Sequence, residues 1–423
     1  MDSYKHSRFN LVKTLSDNKI IIFNTLTQGM LEVEPDVYEK FKNIDTSDET
    51  ITTKFKEYGF IVPSTINELD KLKFYNSKHR YSSKSLNVTI KTTNACNFLC
   101  KYCYQEHHRQ DLSRDITEHL KKYFNKKIQS GVENIFIHWF GGEPLLNIDP
   151  ILDIDNFLAK KDVAYRSSLT TNGYLLNEEY INKIKDTKIK NIQITLDGIR
   201  DNHNKTRVLV NGDGTFDKIL SNIKNCIKIA PNINIVIRYN INKTNENFDD
   251  FLNFLENSDI NTKNITLRVN QAQQHDISYT DEDIFYENTK EYSEKLLNVY
   301  KTMLKHGLNL PMYNVNGISC EFDCIDNFLI ETDGKIYQCT SSNNEDSFYL
   351  GYIDEDGNVQ FKEDHIVKKM LRSPFNKEKC VDCKLLPMCM GGCVYEEKHN
   401  RDECIPEKYI IDHLLELYYK ANV

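Results

Sequence analysis

The sequence predicts an α/β protein whose centre is an open, partial TIM-like (β/α)6 barrel with a smaller segment on each side. Between residues 86 and 310, short apolar runs alternate with helical stretches, and six such units predict parallel strands joined by right-handed crossovers. Cysteine is absent from residues 1–85 and is concentrated near position 100 and after position 319. Six units are too few to close an eight-stranded barrel, so we expect the sheet to stay open.

Composition narrows the class of protein. The chain has 423 residues, enough for two or three domains. Its formal net charge is −8 and its basic residues are spread along the chain, which argues against a nucleic-acid partner. No apolar run has the length of a membrane span, and the N-terminus lacks the apolar core of a signal peptide. We therefore expect a cytoplasmic protein with no membrane partner.

Residues 1–85 predict a small α+β module. The stretches FNLVKT, KIIIFNT and MLEVEP have the pattern of short strands separated by turns. The stretches DVYEKFKNI, ETITTKFKEYG and INELDKLKFYN have the spacing of helices. Three strands followed by three helices therefore precede the barrel.

The barrel segment, residues 86–310, carries its polar motifs where strands end. The predicted strands are Leu86–Thr92, Asn134–Trp139, Ala164–Thr170, Asn191–Leu196, Asn232–Asn240 and Asn264–Asn270. A cysteine loop follows the first strand, GGEP the second, TTNG the third and LDG the fourth. Because barrels of this kind place their chemistry at the carboxyl ends of the strands, these motifs should share one site.

The cysteine loop has the spacing of a metal site. Cys96, Cys100 and Cys103 form CxxxCxxC, and in a reducing compartment metal binding is a better interpretation than disulfides. A closed zinc site needs four protein ligands, whereas three thiolates suit a [4Fe–4S] cluster with one open iron. The alternative is a zinc knuckle that takes its fourth ligand from elsewhere in the chain.

With Tyr102 the motif reads CxxxCxYC, and it resembles the radical S-adenosylmethionine (SAM) enzymes. The resemblance implies that the open iron chelates SAM and that one electron cleaves SAM to a hydrogen-abstracting 5′-deoxyadenosyl radical. It also implies that Cys96, Cys100 and Cys103 are the catalytic cluster ligands and that Tyr102 packs near the adenine.

A second motif of that family follows about forty residues later. Gly141, Gly142, Glu143 and Pro144 match its GGEP, whose backbone and glutamate would receive the SAM ammonium. Further SAM contacts implied by the resemblance are Thr170, Asn172, Thr195, Asp197, Arg207 and Arg238. For the threonines, the asparagine and the aspartate, the alternative is a turn that caps a strand end. For Arg238 it is a surface arginine.

Residues 311–423 lose the strand–helix alternation and contain eight cysteines. Their pattern, C-x9-G-x4-C, then CxxCx5CxxxC, then C, resembles the SPASM domain, which holds auxiliary iron–sulfur clusters. The resemblance implies a first [4Fe–4S] cluster on Cys320, Cys324, Cys339 and Cys393 and a second on Cys380, Cys383, Cys389 and Cys404. A zinc ribbon is the alternative. Cys226 is left over and is expected to be a buried apolar residue.

SPASM enzymes mostly act on peptides and proteins, and the N-terminal module resembles the winged-helix-like leader-binding element of peptide-modifying enzymes. There, a leader peptide adds a strand to an open sheet edge, here lined by FNLVKT and Gly59–Val62. The resemblance implies a maturase of a ribosomally made precursor peptide, with three [4Fe–4S] clusters, SAM and an electron donor such as flavodoxin or ferredoxin. The expected product is an intramolecular crosslink, a cysteine thioether first and carbon–carbon or carbon–oxygen bonds next.

Three alternatives remain open. Sulfatase maturases, which make formylglycine, carry an aspartate base where this chain has Thr340. They also begin near their first cysteine motif, whereas about 85 residues precede the barrel in this chain. A peptide epimerase would need a hydrogen-donating cysteine, and Cys226 is the one unassigned. A zinc-binding adaptor would dock peptides through its N-terminal module without chemistry.

Overall fold

The computed structural model describes residues 3–258, 260, 265–273, 275, 282–311, 320–342 and 344–422. Two compact units share these residues. The sheet unit comprises the described residues of 82–286 and 325–369, and the terminal unit those of 1–81, 287–324 and 370–423. The three segments predicted from the sequence, 1–85, 86–310 and 311–423, are therefore not the same as these units, and both units take part of the last segment.

The strands of the described residues are β1 (Tyr4–His6), β2 (Asn10–Thr14), β3 (Ile20–Asn24), β4 (Met30–Val33), β5 (Ile61–Pro63), β6 (Ser85–Lys91), β7 (Phe98–Cys100), β8 (Asn134–Phe140), β9 (Ala164–Thr171), β10 (Ile189–Thr195), β11 (Arg207–Leu209), β12 (Asn234–Ile241), β13 (Ile265–Gln271), β14 (Asn327–Ile330), β15 (Lys335–Tyr337), β16 (Tyr349–Ile353) and β17 (Val359–Phe361).

The helices of the same residues are α1 (Pro35–Lys42), α2 (Glu49–Glu57), α3 (Glu68–Arg80), α4 (Arg114–Gln129), α5 (Asp149–Leu158), α6 (Glu178–Ile184), α7 (Arg200–Thr206), α8 (Phe216–Ile229), α9 (Phe248–Glu256), α10 (Thr289–Lys305), α11 (Glu363–Leu371), α12 (Glu378–Val381), α13 (Leu386–Cys389), α14 (Val394–Lys398) and α15 (Ile411–Asn422). No helix of the described residues is both long and apolar enough to span a membrane.

The sheet unit confirms the alternating strands and helices. Strands β6, β8, β9, β10, β12 and β13 lie side by side in chain order and are all parallel, with a helix between each consecutive pair. Each of the six predicted strands overlaps one of them, although Asn264 lies outside the described residues. Because β13 is at one end of this sheet and β6 is not paired with it, the described sheet is open.

The sequence did not predict the next neighbour of β6. Strand β14 pairs with it in parallel, and β15, β16 and β17 continue the sheet in antiparallel order. A buried ion pair joins the ends of β6 and β14: Lys91 Nζ lies 2.6 Å from a Glu331 carboxylate oxygen, and the two side chains are 5% and 4% exposed. The first strand of the series is therefore covered on both edges.

Helix α8 illustrates why the helices cover this sheet. Its buried side chains include Ile219, Ile223 and Cys226, at the four- and three-residue spacing that forms one helical face. Asn222 on the same face donates hydrogen bonds to the carbonyls of Gly173 and Tyr174, at 2.9 and 2.8 Å. Cys226 is thus a buried residue of the helix, as predicted.

The terminal unit contains the predicted N-terminal strands and helices. Strands β2, β3 and β4 form an antiparallel sheet, and α1 and α2 cover one face of it through a core that includes Ile22, Phe41, Phe55 and Phe60. Strands β1 and β5 were not predicted and form an antiparallel pair of three residues each. The module is therefore an α+β fold with one additional strand pair.

The other face of the β2–β4 sheet packs on the cysteine-rich segment. Phe23 lies in one apolar cluster with Leu385, Met388 and Leu415, and Phe9 and Leu72 lie in another with Leu386 and Met390. Because these clusters take residues from both ends of the chain, the N-terminal module and the segment around residues 380–415 are expected to fold as one body.

Candidate active site

The carboxyl ends of the parallel strands surround a cavity of about 250 Å³ in the sheet unit. Its wall includes all three cysteines of the first motif, Cys96, Cys100 and Cys103. Of the other residues predicted to bind SAM, the wall includes Tyr102, Gly141, Gly142, Thr170, Asn172, Thr195, Arg207 and Arg238. The strand-end motifs are therefore brought together, as expected of such a barrel.

A short strand pair fixes the cysteine loop. Strand β7, which ends at Cys100, pairs antiparallel with β11, and Cys100 lies opposite Arg207. Backbone hydrogen bonds from Cys103 N to Cys100 O, 3.0 Å, and from Lys101 N to Thr206 O, 2.9 Å, continue this connection. The loop thus takes its geometry from a segment about a hundred residues further along the chain.

The two glycines of GGEP are needed because two backbones meet there. A Cβ at Gly141, where φ is +151°, would lie 2.4 Å from Thr93 O, and one at Gly142 would lie 2.3 Å from Ala95 O. Gly142 N donates to Thr93 O at 2.8 Å, and Glu143 N donates to Ala95 O at 2.8 Å. The motif therefore holds the segment that leads into the cysteine loop, in addition to lining the cavity.

Glu143 lies beneath the cavity wall and is fully buried. Its carboxylate accepts hydrogen bonds from Thr171 Oγ1 at 2.7 Å, Asn172 N at 2.7 Å and Leu145 N at 3.1 Å. Burial raises the pKa of this carboxyl, and the three donors act in the opposite direction. The residue joins the ends of β8 and β9, and its predicted contact with the SAM ammonium stays a prediction. Pro144 is buried beside it.

Tyr102 is held by polar groups from three other elements. Its hydroxyl donates to the Asp197 carboxylate and accepts from Arg207 Nη1 at 2.8 Å and from Asn240 Nδ2 at 3.2 Å. Asp197 is fully buried and accepts a further hydrogen bond from Asn240 N at 3.0 Å. The aspartate after β10 is therefore part of a buried network that orients the aromatic ring between the second and third cysteines.

A buried histidine supports the same network. Asp197 N donates to His203 Nδ1 at 3.3 Å, so Nε2 carries the proton and donates to Thr215 Oγ1 at 3.0 Å. Thr215 Oγ1 in turn donates to Arg207 O at 2.7 Å. Burial lowers the pKa of His203 well below its ordinary value, so the ring stays neutral. This chain of bonds fixes the backbone at Arg207.

The donor set fits a thiolate-ligated cluster and SAM. Burial raises the pKa of Cys96 and raises the pKa of Cys100 to about 12, so a free thiolate is disfavoured unless a metal or a cation compensates it. The Arg207 guanidinium is such a cation, because its positive charge acts to lower the pKa of Cys100. Arg207 is 7% exposed, and its Nε has no hydrogen-bond partner among the described residues, which leaves a buried donor for an anionic group such as a carboxylate.

Below the motifs, the barrel interior is polar. His138 Nδ1 lies 2.6 Å from Ser168 Oγ and Nε2 lies 3.0 Å from Thr170 Oγ1, and Gln193 Nε2 donates to the same threonine at 3.3 Å. Arg238, opposite Thr195 on the neighbouring strand, donates from Nε to Asn240 Oδ1 at 2.6 Å. Arg238 is therefore an interior residue at the cavity rather than a surface arginine.

His138 makes stability depend on pH. Burial, with the nearby Arg268 and Arg238, lowers its pKa to about 4 from an ordinary 6.5. Below pH 6.5 the unfolded chain therefore binds a proton that the folded chain excludes, and the free energy of unfolding should fall by at most about 1.4 kcal/mol per pH unit down to about pH 4. Urea unfolding between pH 4 and 8 measures this. His138→Gln should give a flatter profile, and an identical profile would contradict the assignment.

The cysteines predicted to hold the second auxiliary cluster meet in the terminal unit. Cys380, Cys383, Cys389 and Cys404 line one cavity of about 30 Å³, and Lys408 Nζ donates to Cys404 Sγ at 3.2 Å. Among the described residues, no three histidine, cysteine, aspartate or glutamate side chains converge as ligands of one metal ion. The four thiols share a small enclosed space, and their ligation of a cluster stays a prediction.

The cysteines predicted to hold the first auxiliary cluster are divided between the two units: Cys320, Cys324 and Cys393 belong to the terminal unit and Cys339 to the sheet unit. Cys339 is buried, and its sulfur accepts a hydrogen bond from Ser341 N at 3.3 Å. The residues that follow it, Thr340 and Ser341, line the cavity at the strand ends. The first auxiliary cluster on Cys320, Cys324, Cys339 and Cys393 likewise stays a prediction.

Several cavity residues were not found from the sequence. Asn240, which bonds to Tyr102, lies two residues after Arg238 on β12. Residues two apart on a strand point to the same face, so the prediction of Arg238 at the site could have indicated Asn240 as well. His107 lies four residues after Cys103, with its Nε2 3.3 Å from the cysteine sulfur, and the motif alone gave no sign of it. Gln271 and Gln273, at the end of β13, also line the cavity.

The family model of the Radical SAM superfamily matches residues 90–255, which include the cysteine loop, GGEP and the Tyr102 network. The chain contains a radical SAM domain. The protein is accordingly a radical SAM enzyme, and its family uses SAM and a [4Fe–4S] cluster. The large, mostly parallel sheet described above is the α/β fold of that domain.

Two curated proteins are similar to this radical SAM enzyme over most of its length. The cysteine-type anaerobic sulfatase-maturating enzyme of Clostridium novyi (strain NT) is 26% identical over 345 residues, covering 75% of this chain and 90% of that protein. The radical SAM cyclopropyl synthase TigE of Paramaledivibacter caminithermalis is 24% identical, covering 95% of this chain and 93% of that protein.

Solved structures share its fold. The structure of anSMEcpe with bound AdoMet has a TM-score of 0.60 at 18% identity, covering 80% of this chain and 99% of that chain. Streptococcus suis SuiB bound to the precursor peptide SuiA has a TM-score of 0.55 at 16% identity, covering 96% of this chain and 99% of that chain. The likeness to SuiB thus extends over nearly the whole radical SAM enzyme.

Proposed function

We propose that this radical SAM enzyme modifies a ribosomally made precursor peptide and forms an intramolecular crosslink in it. A thioether from a precursor cysteine is the first candidate product, and carbon–carbon or carbon–oxygen bonds are next. The observation that carries the proposal is the extent of the likeness to SuiB, which was solved with its precursor peptide and is matched over 96% of this chain. The cyclopropyl synthase TigE, matched over 95% of the chain, supports bond formation as the class of outcome.

In this proposal the residues of the cavity hold the reagents. Cys96, Cys100 and Cys103 would hold the [4Fe–4S] cluster, and the GGEP backbone with Arg207 would hold SAM. A donor such as flavodoxin or ferredoxin in the cytoplasm would reduce the cluster, and SAM bound there would supply the radical that takes a hydrogen from the peptide. For a thioether, the thiol proton would leave to solvent and an auxiliary cluster would accept the electron left over. The Tyr102 network orients the aromatic ring at the cluster loop, and burial of these groups excludes water. Two auxiliary clusters would be held by Cys320, Cys324, Cys339 and Cys393 and by Cys380, Cys383, Cys389 and Cys404.

The cavity wall favours a crosslink over formylglycine. Thr340, which occupies the position of the aspartate base in sulfatase maturases, lines the same cavity as the three cysteines. A threonine hydroxyl does not accept a proton near neutral pH, so it cannot replace a carboxylate as general base. Sulfatase-type maturation is the second candidate, because the Clostridium novyi relative matches 75% of this chain.

Peptide epimerisation is a third possibility, and Cys226 bears on it. Epimerisation needs a hydrogen donor that faces the substrate radical, and Cys226 is the cysteine left after three clusters are assigned. Its side chain is fully buried in α8, among the apolar residues that cover the sheet, and it does not belong to the cavity wall of the described residues. This placement favours the crosslinking proposal.

The mass of the product distinguishes a crosslink from epimerisation and from formylglycine made from cysteine. After anaerobic incubation with SAM, a reductant and a candidate precursor peptide that contains cysteine, we expect the peptide to lose two hydrogen atoms. A crosslink conserves all heavy atoms, whereas formylglycine from cysteine replaces sulfur with oxygen and epimerisation leaves the mass unchanged. High-resolution mass spectrometry measures the change. Loss of sulfur from the peptide would replace crosslinking with the sulfatase-type reaction.

The N-terminal sheet offers an edge for the precursor's leader. In the β2–β3 pair, Thr25 N donates to Phe9 O and Leu15 N donates to Lys19 O, which makes the odd-numbered residues of β2 the hydrogen-bonded ones. Val12 therefore points its N–H and C=O away from β3, and it is 39% exposed. An extended leader could add a strand at this edge.

The other half of the predicted groove is already paired. Residues of Gly59–Val62 bond to β1, since Ile61 lies opposite His6 and Ser7 N donates to Phe60 O at 2.9 Å. Asn10 Nδ2 also donates to Phe60 O, at 2.8 Å. We therefore assign the docking edge to β2 alone.

A single substitution tests the edge. Val12→Pro removes the outward N–H without breaking the β2–β3 ladder, so we expect it to weaken leader binding about tenfold, while Val12→Ala, which keeps the N–H, binds as the parent does. Fluorescence anisotropy with a labelled leader measures both, and SAM cleavage without peptide should be unchanged in both. Equal binding by the two variants would end this assignment. Deleting the module is a poorer test because it would expose the shared apolar clusters.

A further inference from the structure

One histidine of the cavity wall contacts a cluster cysteine. His107 is half-buried, lines the cavity and places Nε2 3.3 Å from Cys103 Sγ. The same sulfur accepts a hydrogen bond from the Gln105 backbone N–H. The neighbouring His108 is exposed and its Nε2 lies instead 3.4 Å from Gln110 Oε1.

An iron-bound thiolate can only accept a hydrogen bond, so the short contact requires the proton of His107 to reside on Nε2. Hydrogen bonds to the sulfurs are among the features that set the potential of an iron–sulfur cluster, because they stabilise the more negative, reduced state. We propose that His107 donates this hydrogen bond to Cys103 in the radical SAM cluster and raises the cluster's reduction potential. The inference rests on the ligation by Cys96, Cys100 and Cys103 proposed above.

The role is that of a tuning residue, which acts on the cluster through Cys103. A donor at this sulfur makes it easier for a flavodoxin or ferredoxin to deliver the electron that SAM cleavage needs. It leaves the iron ligands unchanged, so cluster content and potential are separable. The hydrogen bond from the Gln105 backbone remains when the His107 side chain is replaced. The difference in reduction potential between the variants therefore measures the effect of the imidazole alone.

The test is an EPR-monitored redox titration of the reconstituted full-length enzyme, following the signal that changes when SAM is added. His107→Phe keeps a ring without a donor, and we expect about a tenfold loss in the equilibrium constant for one-electron reduction, equivalent to about 59 mV towards more negative potential. His107→Gln keeps a side-chain N–H and should recover at least half of that shift. His108→Phe is the matched control and should titrate as the parent does.

A second measurement keeps the proposal falsifiable if His107→Phe fails to hold iron. With 15N-labelled histidine, pulsed EPR of the reduced parent enzyme should detect a nitrogen coupled weakly through the hydrogen bond, and the coupling should disappear in His107→Gln. Equal potentials in the parent, His107→Phe and His107→Gln would overturn the proposal, as would a parent spectrum without histidine nitrogen. A parent without a SAM-responsive signal would refute the cluster assignment itself, and the inference with it.

Discussion

Replacement of Cys96, Cys100 or Cys103 by alanine should abolish the release of 5′-deoxyadenosine and remove about four of about twelve irons per chain. All three thiols line one cavity, and Cys100 is held opposite Arg207 by the β7–β11 pair. With one ligand missing, a cluster that already leaves one iron open would be held by two thiolates only. Anaerobic reconstitution, an iron assay and chromatography of the nucleoside products measure the effect.

Cys226→Ala is the matched control for these variants. It removes a buried thiol from α8, where it packs among apolar side chains, and should keep the parent's iron content and SAM cleavage. SAM cleavage at the parent's rate in Cys100→Ala would refute the site. Zinc without iron in the parent enzyme would leave only the adaptor hypothesis.

Gly142→Ala should lower SAM cleavage at least a hundredfold, although it changes no predicted ligand of the cluster. The new Cβ would lie 2.3 Å from Ala95 O and 2.7 Å from Ala95 C, and both contacts are with backbone. The segment that leads into Cys96 must therefore move, and displacement of reacting groups by about 1 Å costs on the order of a hundredfold in rate. The measurement is the initial rate of 5′-deoxyadenosine formation, together with the iron content.

Gly212→Ala is the control that separates the steric clash at Gly142 from the backbone strain of replacing a glycine. Gly212 has a φ of +88°, and a Cβ there would meet no atom within 4 Å, so the substitution costs only the backbone strain of the left-handed region, about 1–3 kcal/mol. We expect this variant to cleave SAM at close to the parent's rate once folded. If Gly142→Ala did the same, GGEP would not be holding the cysteine loop through its backbone.

The central strands could be predicted because each is a short apolar run that alternates with a helix, a local pattern. Strand β14 could not, because four residues, NFLI, pair with a strand whose sequence lies far upstream. Strands β1, β5, β7 and β11 have only three residues each, too few for a period to be recognised. Local sequence patterns therefore predicted the six parallel strands, whereas the strands that depend on long-range pairing were found only in the structure.

The residues of the site likewise divide into those recognisable from a local pattern and those that depend on long-range contacts. Cys96, Cys100 and Cys103 are recognisable by their spacing within one loop, and the GGEP glycines by their place after the next strand. The packing of Gly142 against Ala95 and the network between Tyr102 and Asn240 depend on where separate strands end, which spacing does not contain. His107 was missed because the motif ends at Cys103 and says nothing about the residues that follow it.

The pairing of β14 with β6 has a consequence for the order of assembly on the ribosome. One edge of β6 has to wait for β14, which is synthesised roughly 240 residues later. At about 5–20 residues per second, that edge stays bare for on the order of 10–50 seconds, and Lys91 has no carboxylate to neutralise it. The loop that carries Cys96 follows β6 directly, so iron delivered to the nascent chain would meet an unfinished sheet. Productive cluster insertion should therefore follow the synthesis of β14.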